Sequence, residues 1–258
     1  MNPTALVRRP SPRLEQGQVT HIERSAVDIS LAMAQWESYV AALHGAGWET
    51  IEVAPAPDCP DSHFVEDTMV VFRDVAVISR PGTDSRLAET TDAEKAVAAL
   101  GYAIRRIQSP GTLDGGDVLK VDGTVYVGRG GRTNAEGVRQ LRAVLAPLGA
   151  RVVAVPLTKV LHLKSAVTAL PDGTVLGWPD AVDDRSFFPH FLAVPEEPGA
   201  HVVVLDDERL LMAADAPRSA DLLADLGYTP VTVDISEFEK MEGCVTCLSV
   251  RLRSLPAG

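Results

Sequence analysis

Three residues that lie far apart in the chain have the side chains that covalent catalysis by a thiol requires. Cys247 offers a nucleophile near the end of the sequence, His162 offers a proton carrier between two leucines, and Asp114 offers a carboxylate in Leu-Asp-Gly-Gly-Asp. In such catalysis the thiolate attacks, the imidazole moves protons, and the carboxylate orients the imidazole. The three residues need to be adjacent only in the fold. We therefore predict that they form one hydrolytic site.

A second group of chemically capable residues is acidic. Asp61, Glu66 and Asp67 lie in the segment Pro60–Asp67, just before a predicted apolar hairpin. Carboxylates bind the planar guanidinium group through two parallel hydrogen bonds. The cluster therefore indicates a cationic ligand, and a solvated turn is the alternative interpretation.

Two arginines, Arg86 and Arg132, each follow a predicted hairpin and precede a predicted helix. A guanidinium in such a position can clamp a ligand carboxylate or lie on the surface. The glycine-rich stretch around Arg132 lacks the Lys-Ser/Thr of a phosphate loop and the spacing of a dinucleotide-binding motif. We therefore do not interpret it as a phosphate site.

Cys244 and Cys247 form a C-x-x-C sequence, which also occurs in zinc and redox sites. Zinc requires two further ligands, and the sequence offers only Cys59 and histidines that do not form a second pair. A thioredoxin-like pair stands at a helix N-terminus, whereas Cys247 here begins a β-type run. The residues therefore favour neither a zinc nor a redox site, and both remain as alternatives.

The composition restricts the class of protein. The 258 residues carry a net charge of −11, which argues against nucleic acid or an anionic membrane surface as a partner, because both require a basic footprint. The chain has three cysteines, too few for a disulfide framework, and this favours a reducing cytoplasm. No apolar run is long enough to span a membrane.

Paired β-type runs around tight polar turns recur along the chain, with helical patterns between them. Asp-Gly and Pro-Asp-Gly turns are strong hairpin signals, and a glycine after each helix suits the left-handed conformation that ends it. The predicted hairpins are Met69–Phe72 with Val75–Ile78, Val118–Val121 with Thr124–Val127, Ala166–Leu170 with Thr174–Leu176, and Val202–Leu205 with Arg209–Met212. The predicted helices are Ile29–Leu43, Ala88–Leu100, Ala135–Leu148 and Arg218–Leu226.

The repeating unit is strand, strand, helix, strand, and it recurs about every fifty residues. About five such units predict an α/β ring with pseudo-five-fold symmetry, folded as one domain over residues 1–258. The closing run Val245–Leu252 is expected to pair with Ala5–Arg9 and bring the chain ends together. Residues Gly177–Pro198 form an irregular copy. An α/β sheet of mixed direction is the alternative.

Six short motifs occur in an order and spacing that resemble one known family, dimethylarginine dimethylaminohydrolase, of the guanidino-group-modifying (pentein) superfamily. The resemblance extends from about Ala5 to Leu252. The motifs are Phe64-Val-Glu-Asp67, Arg80-Pro-Gly…Ser-Arg86, Leu113-Asp-Gly-Gly-Asp-Val-Leu119, Val127-Gly…Arg132-Thr-Asn134, Leu161-His-Leu-Lys-Ser165 and Thr246-Cys-Leu-Ser-Val250.

The resemblance implies a five-bladed α/β propeller of ββαβ units. It also implies hydrolysis of asymmetric dimethylarginine or monomethylarginine to citrulline and a methylated amine, with a small-molecule substrate and no metal or organic cofactor. In this family pattern Cys247 is the nucleophile, His162 the acid/base and Asp114 its partner. Cys244 has no role in the pattern, and we expect it to be structural.

The resemblance also implies substrate-binding positions. Arg86 and Arg132 would hold the substrate carboxylate, and the acidic residues would surround its guanidinium and amino groups. Val19 would lie on a lid, at a position where leucine is familiar in the family. The implied substrate-binding residues are Val19, Asp61, Phe64, Glu66, Asp67, Arg86, Arg132 and Met241.

Two rival functions remain open from the sequence. An arginine deiminase uses the same groups on unmethylated arginine, but such enzymes are usually much longer and carry a helical insertion that this sequence lacks. A guanidino-binding protein without turnover would not require Cys247, His162 and Asp114 together. A homodimer is also possible.

Overall fold

Short apolar runs joined by polar turns form fifteen strands in the computed structural model, which describes residues 2–253 and 256. The strands are β1 Thr4–Val7, β2 Glu49–Glu52, β3 Met69–Phe72, β4 Val75–Ile78, β5 Ala103–Arg106, β6 Val118–Val121, β7 Thr124–Arg129, β8 Arg151–Pro156, β9 Val167–Ala169, β10 Val175–Gly177, β11 Phe191–Ala193, β12 Val202–Val204, β13 Arg209–Ala213, β14 Thr229–Val233 and β15 Val250–Leu252. The α-helices are α1 Ile29–Gly45, α2 Thr90–Ala99, α3 Ala135–Leu145, α4 Pro217–Asp225 and α5 Ser236–Glu239.

The strands form five small sheets of three strands each, so the fold is mixed α/β. In every sheet the first two strands are antiparallel and the third is parallel to the second. The sheets are β15-β1-β2, β3-β4-β5, β6-β7-β8, β9-β10-β11 and β12-β13-β14. A parallel third strand requires a long crossover, and α1, α2, α3 and α4 supply it in four of the sheets. The predicted repeating unit is thus confirmed.

The four predicted hairpins are confirmed as the pairs β3–β4, β6–β7, β9–β10 and β12–β13. The turn between β6 and β7 has positive φ at Asp122 (45°) and Gly123 (79°). That conformation matches the twist of two-residue hairpins and favours Asp-Gly. The fourth sheet is the irregular copy that the sequence predicts. Its β10–β11 connection has a 3₁₀ turn, Arg185–Phe187, where the other sheets have an α-helix.

The four predicted helices are confirmed to within two residues or extend as 3₁₀ turns. The glycines after them, Gly47, Gly101, Gly149 and Gly227, have φ between 85° and 94°. This left-handed conformation costs other residues steric strain. Each helix therefore ends where its glycine allows the chain to turn back to the sheet.

The two ends of the described chain meet in the first sheet. Leu6 of β1 lies opposite Val250 of β15 in an antiparallel register. The predicted pairing of the closing run is therefore confirmed, but the strand is shorter than expected. Cys247 and its neighbours form turns ahead of β15.

Five apolar clusters join the sheets in chain order. We number the sheets 1 to 5, from β15-β1-β2 to β12-β13-β14, in the order given above. One cluster packs sheet 1 against sheet 2, and the next three pack sheet 2 against 3, 3 against 4, and 4 against 5. The fifth cluster packs sheet 5 against β1 and α1. The first strands β3, β6, β9, β12 and β15 also line one shared cavity of about 380 Å³, which we call the inner cavity.

Replacing Leu6 with alanine tests the junction between the two chain ends. Leu6 is fully buried in the cluster that joins sheets 1 and 2, and we expect the change to lower the free energy of unfolding by about 2–5 kcal/mol because it leaves a cavity. The matched control is Leu226→Ala, since Leu226 is 51% exposed. Urea titration of both variants measures the difference. Equal midpoints would contradict the burial of Leu6.

Candidate active site

The predicted catalytic residues and Asp67, predicted to bind substrate, lie in segments that lead into the first strand of a sheet. Asp67 precedes β3, Asp114 precedes β6, His162 precedes β9 and Cys247 precedes β15. Since these strands share the inner cavity, the loops ahead of them converge. Asp67, His162 and Cys247 line a second, smaller cavity, which we call the site cavity, and Asp114 lies fully buried beside His162.

The imidazole of His162 is held between two carboxylates. Its Nε2 lies 3.0 Å from Oδ2 of Asp114, and its Nδ1 lies 3.8 Å from Oδ1 of Asp67. Asp114 is fixed in turn by the amide of Gly82, which donates to Oδ1 at 2.9 Å. His162 itself has an extended backbone but caps a 3₁₀ turn, Leu163–Ser165. His162 therefore lies outside the strands, because β9 begins only after that turn.

Gly116 of the Leu-Asp-Gly-Gly-Asp motif makes this arrangement possible. A Cβ at this position would lie 2.7 Å from Nδ1 of His162 and 2.7 Å from Oδ1 of Asp67. The Gly116 amide also donates to Asp67 at 2.8 Å. The motif therefore supplies close backbone approach as well as a carboxylate.

His162 is protonated at neutral pH in this setting. Burial disfavours the charged imidazolium, but the carboxylate of Asp67, the hydrogen bond to Asp114 and the charge of Asp117 together outweigh burial and raise its pKa to about 9. The same contacts act on Asp67. Burial opposes its ionisation, yet His162 and Arg86 hold its pKa below the usual range.

A third buried carboxylate, Asp117, binds the segment that carries His162. Its Oδ1 accepts from the Leu163 amide at 3.0 Å, and its Oδ2 accepts from the Thr133 hydroxyl at 2.5 Å. Burial raises the pKa of Asp117 to about 6, partly offset by His162 and these hydrogen bonds. Asp117 thus fixes the turn that carries His162.

Cys247 is 6% exposed, and its sulfur lies 3.4 Å from the sulfur of Cys244. The two thiols are coupled, because a hydrogen bond from one thiol stabilises a thiolate on the other. This bond lowers the pKa of Cys244 to about 5 and, with burial, raises that of Cys247. Two thiolates this close repel each other, so the pair loses one proton readily and resists losing the second. A bound cation in the site cavity favours the thiolate on Cys247, the sulfur that lines it.

Arg86 is buried and is paired with protein carboxylates. Its Nη1 donates to Asp67 at 2.6 Å, and its Nη2 donates to Glu89 at 2.8 Å. Its Nη2 also donates to the carbonyls of Asp61 and Phe64. Arg86 lines the site cavity, but its charge is already matched by Asp67 and Glu89.

Arg132 connects the site to the N-terminal loop. Its Nη1 lies 3.4 Å from Asp114, and its Nη2 donates to Oε1 of Gln18 at 2.9 Å. The Gln18 amide donates to both carboxylate oxygens of Asp61 at 3.2 Å. Burial raises the pKa of Asp61, with Arg86 opposing the shift. Arg132, Asp61 and Gln18 all line the site cavity.

The carboxylate of Glu66 lies away from the site cavity. Lys164 donates to it at 2.6 Å, and Arg251 forms a second ion pair with it. All three residues line the inner cavity. The predicted contact of Glu66 with a guanidinium is thus not the arrangement found, because Glu66 and the adjacent Asp67 direct their side chains into different cavities.

Three apolar residues were predicted to bind substrate. Phe64 and Met241 are buried and line the site cavity. Val19 is half-buried and packs against the apolar cluster that includes Phe64, Met241 and Cys247. Val19 lies in residues 17–22, which we call the covering loop and of which Gln18 lines the site cavity. Val19 itself is not among the residues that line the cavity.

The covering loop is fastened by Glu242, a residue that the sequence analysis did not single out. The amides of Thr20 and Ile22 donate to its Oε1 at 3.0 and 3.1 Å, and the His21 amide also donates to it. Glu242 has a positive φ of 61°. Its sequence signal was its place beside Met241, and that of Gln18 was its place beside Val19.

Asp67, Asp114 and His162 place three potential ligand atoms within 4.8 Å of one another. Carboxylate and imidazole groups suit a divalent cation. Here both carboxylates already face an arginine, Arg86 or Arg132. A metal ion would therefore compete with cations that the protein itself supplies.

This chain is similar over nearly its whole length to proteins named N(G),N(G)-dimethylarginine dimethylaminohydrolase. The N(G),N(G)-dimethylarginine dimethylaminohydrolase of Streptomyces coelicolor is 69% identical over 251 residues, covering 97% of this chain and 97% of that protein. The enzyme of the same name from Pseudomonas aeruginosa is 35% identical over 249 residues, covering 95% and 98%. A solved structure of the Pseudomonas aeruginosa protein, a cysteine-to-serine variant complexed with citrulline, has a TM-score of 0.91 at 34% identity, covering 98% of this chain and 100% of that one. No protein-family model matches the chain.

Among the helices of the described residues, none has the length and apolar character that crossing a bilayer requires.

Replacing Asp114 with asparagine tests the cause of the raised pKa of His162. Loss of the carboxylate removes the charged hydrogen bond to Nε2, so the pKa of His162 is expected to fall from about 9. The imidazole resonances followed by NMR against pH measure it. Because the folded pKa lies above the unfolded value, the charged His162 stabilises the fold at low pH, and this contribution is lost as the pH rises through about 9.

The matched control for this measurement is Asp184→Asn, an exposed carboxylate far from the site in sequence. It should leave the titration of His162 unchanged. An unaltered midpoint in Asp114→Asn would show that Asp114 does not set the protonation of His162.

Proposed function

The chain belongs to the dimethylarginine dimethylaminohydrolase family, and on that basis we propose that it hydrolyses Nω-methylated arginines to citrulline and a methylated amine. The observation that carries the proposal is a cavity lined together by a cysteine, a histidine and carboxylates, Cys247, His162, Asp67 and Asp61. Guanidinium is a planar cation that carboxylates bind well. The citrulline bound to the similar Pseudomonas aeruginosa structure fits a product of the same class.

Binding begins with the acidic wall of the site cavity. A guanidinium that enters competes with Arg86 for Asp67, the carboxylate that faces both His162 and the cavity. The substrate carboxylate is then held by Arg132, whose Nη2 is occupied by neutral Gln18 and whose bond to Asp114 is long at 3.4 Å. When the substrate carboxylate displaces Gln18 from Arg132, a charged acceptor replaces a neutral one, and this strengthens the hydrogen bond.

The chemistry follows from the charges. The guanidinium carbon resists attack because three nitrogens share its charge, but the cation favours the thiolate of Cys247. The thiolate attacks that carbon, and protonated His162 donates its proton to the departing amine. The S-alkylthiouronium that remains is hydrolysed by a water that neutral His162 activates. Asp114 holds the imidazole orientation through both steps.

The arrangement of the five sheets around the inner cavity is part of this proposal. We infer one domain over residues 1–258, a five-bladed α/β propeller with the sheets as blades around a pseudo-five-fold axis. The apolar clusters form a closed circuit through all five sheets, and the first strands line one cavity. Both features are expected of a ring and neither of a continuous sheet. The three free cysteines suit a reducing cytoplasm.

The choice of substrate is tested by measuring citrulline release from asymmetric dimethylarginine, monomethylarginine and arginine side by side. We expect kcat/KM to be higher for the methylated substrates, with a methylated amine as the second product. Val19 lies on the covering loop at a position where leucine is familiar in the family. A difference from the family in the choice between methylated and unmethylated arginine would therefore arise in this loop. Faster release from arginine, with ammonia as product, would instead support the arginine deiminase alternative.

The role of Cys247 is tested by Cys247→Ser, with Cys59→Ser as the control. Loss of a covalent nucleophile is expected to lower kcat by roughly 10⁴-fold or more, while calorimetry should still detect methylarginine binding because the carboxylates remain. Cys59 does not line the site cavity, so its variant should keep its activity. Comparable turnover in Cys247→Ser would remove Cys247 from the mechanism.

A further inference from the structure

Cys244 is a buried thiol in contact with the proposed nucleophile that the mechanism above does not use. Its sulfur lies 3.4 Å from that of Cys247, and both residues are less than 7% exposed. The Cys247 amide donates to the Cys244 carbonyl at 3.0 Å. This is the hydrogen bond of a four-residue turn, which holds the end Cα atoms within about 7 Å. Disulfides span roughly 4.4–6.8 Å between Cα atoms.

The two sulfurs also face different cavities. Cys247 lines the site cavity, whereas Cys244 lines a separate cavity of about 330 Å³ together with His201, Asp215 and Glu239. The turn Cys244–Cys247 therefore borders both cavities. Cys247 keeps 6% exposure, so we expect a small oxidant to reach the pair from the site cavity.

We propose that Cys244 and Cys247 form a reversible disulfide when a peroxide reaches the site, so that Cys244 is the resolving thiol for the nucleophile. The loss of hydrolysis rests on the proposed role of Cys247, but the formation of the bond does not. The sulfurs must approach from 3.4 Å to about 2.05 Å, a shift within reach of side-chain rotation in a turn that is already formed.

The chemistry balances with hydrogen peroxide as the oxidant. The pair shares one negative charge across the 3.4 Å contact, and when that charge lies on Cys247 its thiolate attacks one peroxide oxygen, so an S–O bond forms, the O–O bond breaks, and hydroxide leaves and takes up a proton. The sulfur of Cys244 then attacks the sulfenic sulfur, so the S–S bond forms and the S–O bond breaks. The second hydroxide takes the remaining thiol proton. Two thiols have lost two electrons, and peroxide has become two waters.

Such a bond would protect the nucleophile. A cysteine sulfenic acid without a neighbouring thiol is oxidised further to sulfinic acid, which thiol reductants do not reverse. With Cys244 in contact, the sulfenic acid is consumed first, and thiol–disulfide exchange can restore the free thiol. Cys244 thereby converts an irreversible loss into a reversible one.

The test uses the purified full chain treated with excess hydrogen peroxide. Trypsin cleaves after Lys240 and Arg251, so Met241–Arg251 carries both cysteines and not Cys59. In the wild-type chain we expect this peptide to lose two hydrogens and to resist alkylation at both sulfurs. Citrulline release should be lost with it and regained after dithiothreitol.

Cys244→Ser and Cys244→Ala are the informative variants, and Cys59→Ser is the control. Each is compared with its own untreated activity and its own melting temperature. With Cys244 removed, the peptide should gain two oxygens on Cys247 and dithiothreitol should not restore activity. Cys59→Ser should behave as the wild type does.

Two results would overturn the proposal. One is a wild-type peptide with sulfinic Cys247 and an alkylated Cys244, and the other is a disulfide that includes Cys59. If the untreated protein hydrolyses neither arginine nor methylarginines, the proposed function fails, yet the peptide masses still decide whether the bond forms.

Discussion

The site depends on carboxylates that are buried close to one another and are paired with cations. Asp67, Asp114 and Asp117 are each at most 2% exposed and surround a single imidazole. Removing a charge from water costs several kcal/mol unless a partner offsets it. His162 and Arg86 supply that partner for Asp67, and Arg132 contributes at Asp114. The raised pKa of His162 is therefore a consequence of the same charge balance that holds the loops together.

This balance also prepares the cavity for its ligand. Asp67 is bound to the guanidinium of Arg86 before any substrate arrives, so it stays ionised and already has the partner geometry that a methylarginine presents. Gln18 occupies Arg132 in a similar way. The guanidinium of the ligand exchanges with the guanidinium of Arg86, and its carboxylate exchanges with the amide oxygen of Gln18, so each charged group of the protein keeps a partner and the desolvation that binding must overcome is limited. The loop that carries Gln18 is fastened by Glu242, so closing the cavity and orienting Arg132 are linked.

The sequence predicted the elements well because their signals are local. Hairpin turns such as Asp122-Gly123 and the glycine after each helix determine backbone shape within a few residues. Side-chain direction is less local. Glu66 and Asp67 are adjacent and both acidic, yet one faces the inner cavity and the other His162. Gln18 reaches the site from a loop without periodicity, so only its place beside Val19 pointed to it.

The thiol pair shows how the charge balance extends to the nucleophile. In the empty site the hydrogen bond with Cys244 and burial raise the pKa of Cys247, while the nearby cations His162 and Arg86 are already paired with carboxylates. A guanidinium adds a positive charge beside Cys247, so the reactive form is favoured when substrate is present. The adjacent Cys244 thiolate is favoured in the empty site. The same two sulfurs thus allow substrate-dependent activation and a bond to each other, because one negative charge is shared between them.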